Sequence, residues 1–86
     1  MTGTAPTHHA LLLLYTREGC HLCEQFLLDL SLDFPQHAAA VQLQDVDADP
    51  ALALLYGLRV PVLSTAGETI CEGRYDYDEV RRALGL

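Results

Sequence analysis

The chain has 86 residues, of which 50% are hydrophobic and 20% charged, so we expect one folded domain with a single core and not a disordered chain. Twelve acidic residues outnumber five basic ones, all arginines, which gives a formal net charge of −7 at pH 7. Such a charge disfavours binding to nucleic acid or to an anionic membrane surface.

The first element of the chain is predicted to follow a short tail. Residues 1–9 carry no lysine or arginine, and the apolar run behind them is too short for a signal sequence with its flanks or for a membrane span. We therefore expect residues 1–9 to be a flexible tail and residues 10–86 to be the domain, in a reducing cytoplasm. An odd cysteine count with two cysteines close together is also unlike a secreted disulfide scaffold.

The first half of the domain predicts a strand, a helix and a strand. Residues 10–15 form an apolar block whose length, and the Arg-Glu-Gly break behind it, favour a buried central strand. A stripe of leucine and phenylalanine predicts a helix over about residues 21–32, which Phe34-Pro35 ends. Residues 41–44 alternate between apolar and polar, as in a half-exposed strand.

The chain continues with a second helix and a third strand. Asp49 is a suitable cap and Pro50 fits the first helical turn, so a helix is predicted over residues 51–56. Gly57 ends that helix. Residues 60–63 then predict a strand with a proline near its beginning.

The last part predicts a hairpin and a helix. A turn at residues 66–68 leads into a strand over residues 69–73. Asp76 and Glu79 have the spacing of a capping box, which opens a third helix that ends near Gly85. The order β-α-β-α-β-β-α makes the first two strands parallel by the right-handed crossover rule. We therefore expect an α/β fold with a four-stranded mixed sheet and helices on both faces.

Cys20-His-Leu-Cys23 places two thiols at the expected start of the first helix. They lie one turn apart on the same helix face, within bonding reach. The free N–H groups and the positive dipole end of the helix favour the thiolate of Cys20, and the thiolate is the nucleophile of disulfide exchange. The motif therefore predicts a redox dithiol. Half of a zinc site has the same spacing, and only Cys71 and scattered histidines are left to supply further ligands.

His21 and Cys71 each have two interpretations. A protonated His21 stabilises the Cys20 thiolate, whereas a solvent-facing His21 has little influence on it. Cys71 lies on the predicted last strand, where a cysteine is more often a small core residue. A regulatory or intermolecular disulfide is the alternative for Cys71.

Three segments together resemble the thioredoxin superfamily, and glutaredoxin-like proteins most of all, over roughly residues 10–85. They are Thr16-Arg17-Glu-Gly-Cys20-His-Leu-Cys23, Val60-Pro61 and Gly73-Arg74-Tyr75-Asp76. The resemblance implies a thioredoxin-like fold and a cis peptide bond between Val60 and Pro61. It also implies that the backbone of Val60 faces the thiols and pairs with an extended substrate as an added strand. An ordinary trans proline at the start of an edge strand is the alternative.

The same resemblance brings Arg17, Arg59 and Arg74 to the end of the fold that holds Cys20. Arginine binds carboxylates through paired hydrogen bonds and glutathione has two carboxylates, so these arginines are predicted glutathione ligands. Asp76 matches the family position that contacts the amine of glutathione. In the alternative, the arginines pair with carboxylates of the chain itself and have a structural role.

The dithiol and the resemblance together imply a glutaredoxin-like thiol–disulfide oxidoreductase, which we expect to be a monomer. Cys20 attacks a substrate disulfide, Cys23 resolves the mixed disulfide, and Pro61 completes the catalytic site, with His21 and Val60 beside the substrate. Reduced glutathione is the expected electron source and a thioredoxin reductase-like protein the second choice; no metal or organic cofactor is needed. The competing class is a thioredoxin-fold protein-binding module with slow or no turnover, and a metal or iron–sulfur protein comes after it.

Overall fold

The computed structural model of the protein describes residues 11–86, so the predicted tail over residues 1–9 lies outside the described residues. The elements are β1 (Leu12–Thr16), α1 (His21–Asp33), α2 (Pro35–Ala39), β2 (Gln42–Asp45), a 3₁₀ turn (Val46–Ala48), α3 (Pro50–Tyr56), β3 (Val62–Thr65), β4 (Glu68–Glu72) and α4 (Tyr77–Ala83). No helix among residues 11–86 is long and apolar enough to cross a membrane.

The four strands form one mixed sheet in the order β2-β1-β3-β4. β1 and β2 are parallel, with Leu14 beside Leu43, while β1 and β3 are antiparallel, with Leu14 beside Leu63. β4 closes the sheet as the antiparallel partner of β3. The predicted four-stranded mixed sheet is therefore confirmed.

One face of the sheet is covered by α1 and α4. Phe26 and Leu30 lie one turn apart on α1, so both project from the same side of the helix onto the sheet. They are fully buried in the cluster that contains the inward residues of β1 and β3. The buried cluster consists of Leu12, Leu14, Phe26, Leu30, Phe34, Leu63, Val80 and Leu84.

The opposite face is contacted by α3. Tyr15 follows Leu14 along β1, and neighbouring strand residues point to opposite faces of a sheet. The Tyr15 ring stacks on Tyr56 of α3, with 4.0 Å between the ring centroids and an angle of 17° between the planes. Helices therefore pack on both faces, as the sequence predicts.

Two local predictions need correction. Pro35 ends α1, but it also occupies the first turn of a further short helix, α2, which the sequence analysis does not contain. β3 begins at Val62 instead of residue 60 and extends to Thr65. The physical reason is that Pro61 has no N–H to donate and the Val60 N–H donates to the carbonyl oxygen of Tyr56, at 3.0 Å.

The two edge strands, β2 and β4, carry polar and acidic residues. β2 ends at Asp45, and β4 begins at Glu68 and ends at Glu72. β4 is further irregular because its pairing with β3 shifts register between Leu63 and Ser64. Charged ends and a bulge are common features of exposed sheet edges.

We predict that Leu30→Ala lowers the free energy of unfolding by about 2–5 kcal/mol, because it removes a fully buried side chain and leaves a cavity. Leu32→Ala is the matched control, since Leu32 lies on the same helix but is 72% exposed. Urea unfolding of the two variants measures the difference. Equal losses for both would contradict the packing of α1 described above.

Candidate active site

Cys20 is the residue that begins α1. Its backbone is extended, and its Sγ accepts a hydrogen bond from the N–H of Cys23 at 3.1 Å. Its N–H donates to the carbonyl oxygen of Arg17 at 3.2 Å. The cysteine sulfur thus occupies the position of a helix cap, where the first N–H groups of the helix converge.

Cys20 and Cys23 are joined by a disulfide, with 5.2 Å between their Cα atoms. Cys23 is 4% exposed and belongs to the buried residues of α1, whereas Cys20 is half-buried. Cys20 is therefore the more accessible residue of the pair.

Gly19 shapes the loop in front of the dithiol. Its φ is +75°, a left-handed conformation that glycine adopts without the penalty paid by other residues. A Cβ at this position would have no atom within 4 Å, so the backbone conformation and not crowding favours glycine here. The turn lets the chain leave β1 and enter α1 at Cys20.

Arg17 connects this loop to two other segments. Its guanidinium donates two hydrogen bonds to the Asp47 carboxylate, at 2.9 and 3.0 Å, and one to the carbonyl oxygen of Gly57, at 3.0 Å. The hydrogen bonds from Arg17 hold the pKa of Asp47 below its usual range. Asp47 in turn raises the pKa of Arg17. The predicted glutathione ligand Arg17 is thus already paired with a carboxylate of the chain itself.

Gly57 is needed where Arg17 crosses the end of α3. A Cβ on Gly57 would lie 3.0 Å from the Arg17 guanidinium and would collide with the carbonyl oxygen of Ala53. Glycine therefore permits the close approach between the arginine and the segment that leads to Pro61.

Arg59 is also paired with a carboxylate, that of Glu72 on β4. Its guanidinium donates to both Glu72 oxygens at 2.7–3.2 Å and lies over the ring of Tyr56, with 5.2 Å to the ring centroid. These hydrogen bonds lower the pKa of Glu72 and raise that of Arg59. For Arg59 the structure thus contains the alternative interpretation, a pair with a carboxylate of the chain itself.

The peptide bond between Val60 and Pro61 is cis. Pro61 is fully buried, and its carbonyl oxygen accepts a hydrogen bond from the Gly73 N–H at 2.8 Å. The Val60 N–H is already bonded to the carbonyl oxygen of Tyr56. A substrate strand added at this position could therefore pair only with the Val60 carbonyl oxygen. The hydrogen bond between Gly73 and Pro61 joins the segment before β3 to the segment after β4.

Arg74 and Asp76 belong to the segment that joins β4 to α4. Arg74 is exposed and forms no ion pair with any of residues 11–86. Asp76 caps α4 through one carboxylate oxygen, which accepts from the Glu79 N–H at 3.0 Å. A groove of about 230 Å³ runs here between α1 and the β4–α4 segment, and we call it the Arg74 groove. It is lined by Leu22, Gln25, Phe26, Asp29, Gly73, Arg74 and Tyr75.

A second groove lies on the opposite side of α1, and we call it the Cys23 groove. It has a volume of about 260 Å³ and lies between the start of α1 and the strands β1 and β2. Its lining consists of Thr16, Arg17, Glu18, Gly19, Cys20, Cys23, Glu24, Leu27 and Leu43. Both cysteines, and no other thiol of the described chain, border this groove.

The remaining residues singled out by sequence have these positions. His21 is exposed, and its side chain has no hydrogen bond or ion pair with residues 11–86. Cys71 is half-buried beside the core, where burial raises the pKa of its thiol. No group of three or more His, Cys, Asp or Glu residues within residues 11–86 has an arrangement that could hold a metal ion.

Asp47, the partner of Arg17, was not among the residues predicted for the site, although the sequence contains a signal for it. β1 and β2 were predicted to be parallel, and parallel strands end at the same edge of a sheet. Arg17 and Asp47 each follow the end of one of these strands, so their proximity could have been predicted from the topology.

Comparisons with known proteins agree with this geometry. The model of a family described as glutaredoxin-like domain (DUF836) matches residues 11–85. A comparison with curated proteins finds no match. Target protein XcR50 from X. campestris, solved by X-ray crystallography, is 37% identical with a TM-score of 0.71, over 86% of this chain and 95% of that chain. Protein Ne2328 from Nitrosomonas europaea, solved by NMR in solution, is 29% identical with a TM-score of 0.77, over 98% and 99%.

We predict that Asp47→Asn lowers the thermal stability at about pH 6, and that the difference from the wild type shrinks as the pH falls below 3.8, the ordinary pKa of an aspartate. The pKa of Asp47 is lowered in the folded protein, so the contribution of the pair is present at higher pH and is lost on protonation. Thermal melts of both proteins across this range measure the change.

Glu68→Gln is the control for that comparison, because Glu68 forms no ion pair with residues 11–86. Its difference from the wild type should vary less with pH. A difference for Asp47→Asn that stays constant down to low pH would show that the charge of Asp47 does not stabilise the fold.

Proposed function

The chain belongs to the glutaredoxin-like domain family (DUF836), and on this premise we propose that it is a thiol–disulfide oxidoreductase that uses Cys20 and Cys23. The observation that carries the proposal is the geometry of this pair. The half-buried Cys20 sulfur caps α1, and the buried Cys23 lies within disulfide distance of it. A reactive and a resolving thiol need such a difference in exposure.

In the reductive direction, the Cys20 thiolate attacks one sulfur of the substrate disulfide. A Cys20–substrate bond forms, the substrate S–S bond breaks, and the second substrate sulfur leaves as a thiolate that takes a proton from water. The Cys23 thiolate then attacks Cys20. The internal disulfide forms and the first substrate sulfur leaves, so two electrons have passed from the dithiol to the substrate.

The helix start supports the first of these steps. The Cys23 N–H already donates to the Cys20 sulfur at 3.1 Å, and this bond becomes stronger when the acceptor carries a negative charge. The dipole of the 13-residue α1 acts in the same direction. Glu24 in the first turn of the helix opposes it, because a carboxylate near the sulfur disfavours a second negative charge.

Reduced glutathione is our proposed electron source. Two glutathione molecules restore the dithiol and leave as glutathione disulfide. The Arg74 groove supports this assignment, since Arg74 is exposed and its guanidinium has no carboxylate partner among residues 11–86. Asp76 uses only one oxygen for capping, which leaves the other for the glutathione amine.

The other predicted ligands contribute in different ways. Arg17 and Arg59 have their guanidinium groups engaged by Asp47 and Glu72, so we assign them to positioning the loops around the site. The Val60 carbonyl oxygen is available to the backbone N–H of a bound peptide, and His21 lies on the exposed side of the dithiol. Pro61 is buried, so we assign it the role of shaping the backbone at Val60.

We also propose a compartment and an oligomeric state for the protein. A dithiol that is to reduce disulfides needs a compartment that keeps it reduced, and we assign it to a reducing cytoplasm. We propose that it works there as a monomer, without a metal or an organic cofactor.

We predict that Cys20→Ser abolishes reduction of hydroxyethyl disulfide by glutathione, because it removes the nucleophile. Cys23→Ser should still attack the substrate and should accumulate the mixed disulfide, which intact-mass spectrometry detects. Cys71→Ser is the control and should retain the wild-type rate, since Cys71 borders neither groove. Labelling of Cys23 or Cys71 ahead of Cys20 by limiting iodoacetamide would refute these roles, and no turnover by the reduced wild type would favour a protein-binding module.

We predict that Arg74→Ala lowers the efficiency with glutathione about three- to tenfold, because a charge-assisted hydrogen bond is lost from a site that is open to water. With dithiothreitol, which has no carboxylate, the rate should be unchanged. Arg82→Ala is the matched control, since Arg82 pairs with Glu79 on α4. Equal losses with glutathione and dithiothreitol would mean that Arg74 does not recognise an anion.

A further inference from the structure

The two grooves beside α1 differ in charge. On the Cys23 groove side, the charge of Arg17 is balanced by Asp47 at 2.9 Å. Glu18 and Glu24, which line the same groove, form no ion pair with any of residues 11–86. The uncompensated charge beside the two cysteines is therefore negative, whereas the Arg74 groove holds one charge of each sign, Arg74 and Asp29.

The Cys23 groove also has an apolar surface. Leu27 of α1 and Leu43 of β2 form it, and Leu43 is 56% exposed although it lies beside the reactive pair. Apolar area left open next to a reactive group is typical of a contact surface for a ligand. The groove thus combines two unpaired carboxylates, two leucines and the reactive sulfur.

From this combination we propose that the Cys23 groove binds a cationic, apolar segment of a protein substrate whose disulfide or mixed disulfide is delivered to Cys20. Basic side chains of the segment pair with Glu18 and Glu24, and an apolar side chain covers Leu43. The inference rests on the proposed function and adds the class of substrate to it. Electrons and atoms move as described above, with the substrate segment as the group that is first bonded to Cys20.

The charge arrangement also separates the two ligands of the reaction. A peptide with basic residues is attracted to the Cys23 groove, whereas glutathione, with its two carboxylates, is repelled there and meets the exposed guanidinium of Arg74 in the other groove. Opposite sides of α1 therefore receive the substrate and the reductant. Charge complementarity of this kind acts on the rate of association and on the choice of partner more than on affinity.

The test uses the pre-reduced full-length protein in single turnover, which needs no added reductant. Three peptides are compared, Arg-Leu-Cys-Leu-Arg, Ser-Leu-Cys-Leu-Ser and Glu-Leu-Cys-Leu-Glu, each as its mixed disulfide with 2-mercaptoethanol. We expect the arginine peptide to react about five- to tenfold faster than the serine peptide, because exposed ion pairs each contribute modestly. The glutamate peptide should react slowest, and salt should reduce the differences.

Variants locate the effect in the groove. The double variant Glu18→Gln/Glu24→Gln should react with the three peptides at similar rates. Glu68→Gln/Asp78→Asn changes the net charge equally at exposed positions outside the groove and should retain the preference. Leu43→Ser should slow all three leucine peptides, but not the same peptides with glycine in place of leucine.

The outcomes separate this inference from the proposed activity. If the wild type reduces the serine peptide but does not distinguish the three, or if both double variants lose the preference alike, the groove does not select the substrate and the activity stands. If the wild type reduces none of the peptides, the proposed activity fails and the substrate assignment fails with it.

Discussion

The start of α1 fixes where the Cys20 sulfur lies, and Arg17 is the residue that holds this start in place. Its carbonyl oxygen accepts from the Cys20 N–H, and its guanidinium joins Asp47, after β2, to the Gly57 carbonyl, before β3. The guanidinium of Arg17 thus links its own loop to two other loops at the same end of the sheet. Because the ion pair is exposed, we attribute to it the geometry of the site more than the stability of the fold.

Most of the fold could be predicted because its signals are local. The apolar block at β1, the stripe of α1 and the caps at Asp49 and Asp76 each determine an element within a few residues. α2 was missed, because a proline after a helix was interpreted only as its end. The start of β3 depends on a hydrogen bond from Val60 to Tyr56, a contact that no pattern around residue 60 indicates.

The same distinction between local signals and distant contacts applies to the candidate site. Cys20 and Cys23 could be identified because their chemistry depends on spacing and on a helix start, which are both local. The state of the arginines depends on carboxylates that are distant in sequence, with Asp47 30 residues from Arg17. The glutathione prediction for Arg17 and Arg59 needs unpaired side chains, and in the folded chain their donors are engaged, as in the structural alternative.

The charged ends of the two edge strands have a consequence for how copies of this protein meet. An open sheet edge can take up a strand from another molecule and so begin aggregation. Here a second copy that approached β4 would bring its Glu68 towards another carboxylate, in a chain whose net charge is already −7. Concentrated protein should therefore resist aggregation near neutral pH and should aggregate when acid neutralises its carboxylates.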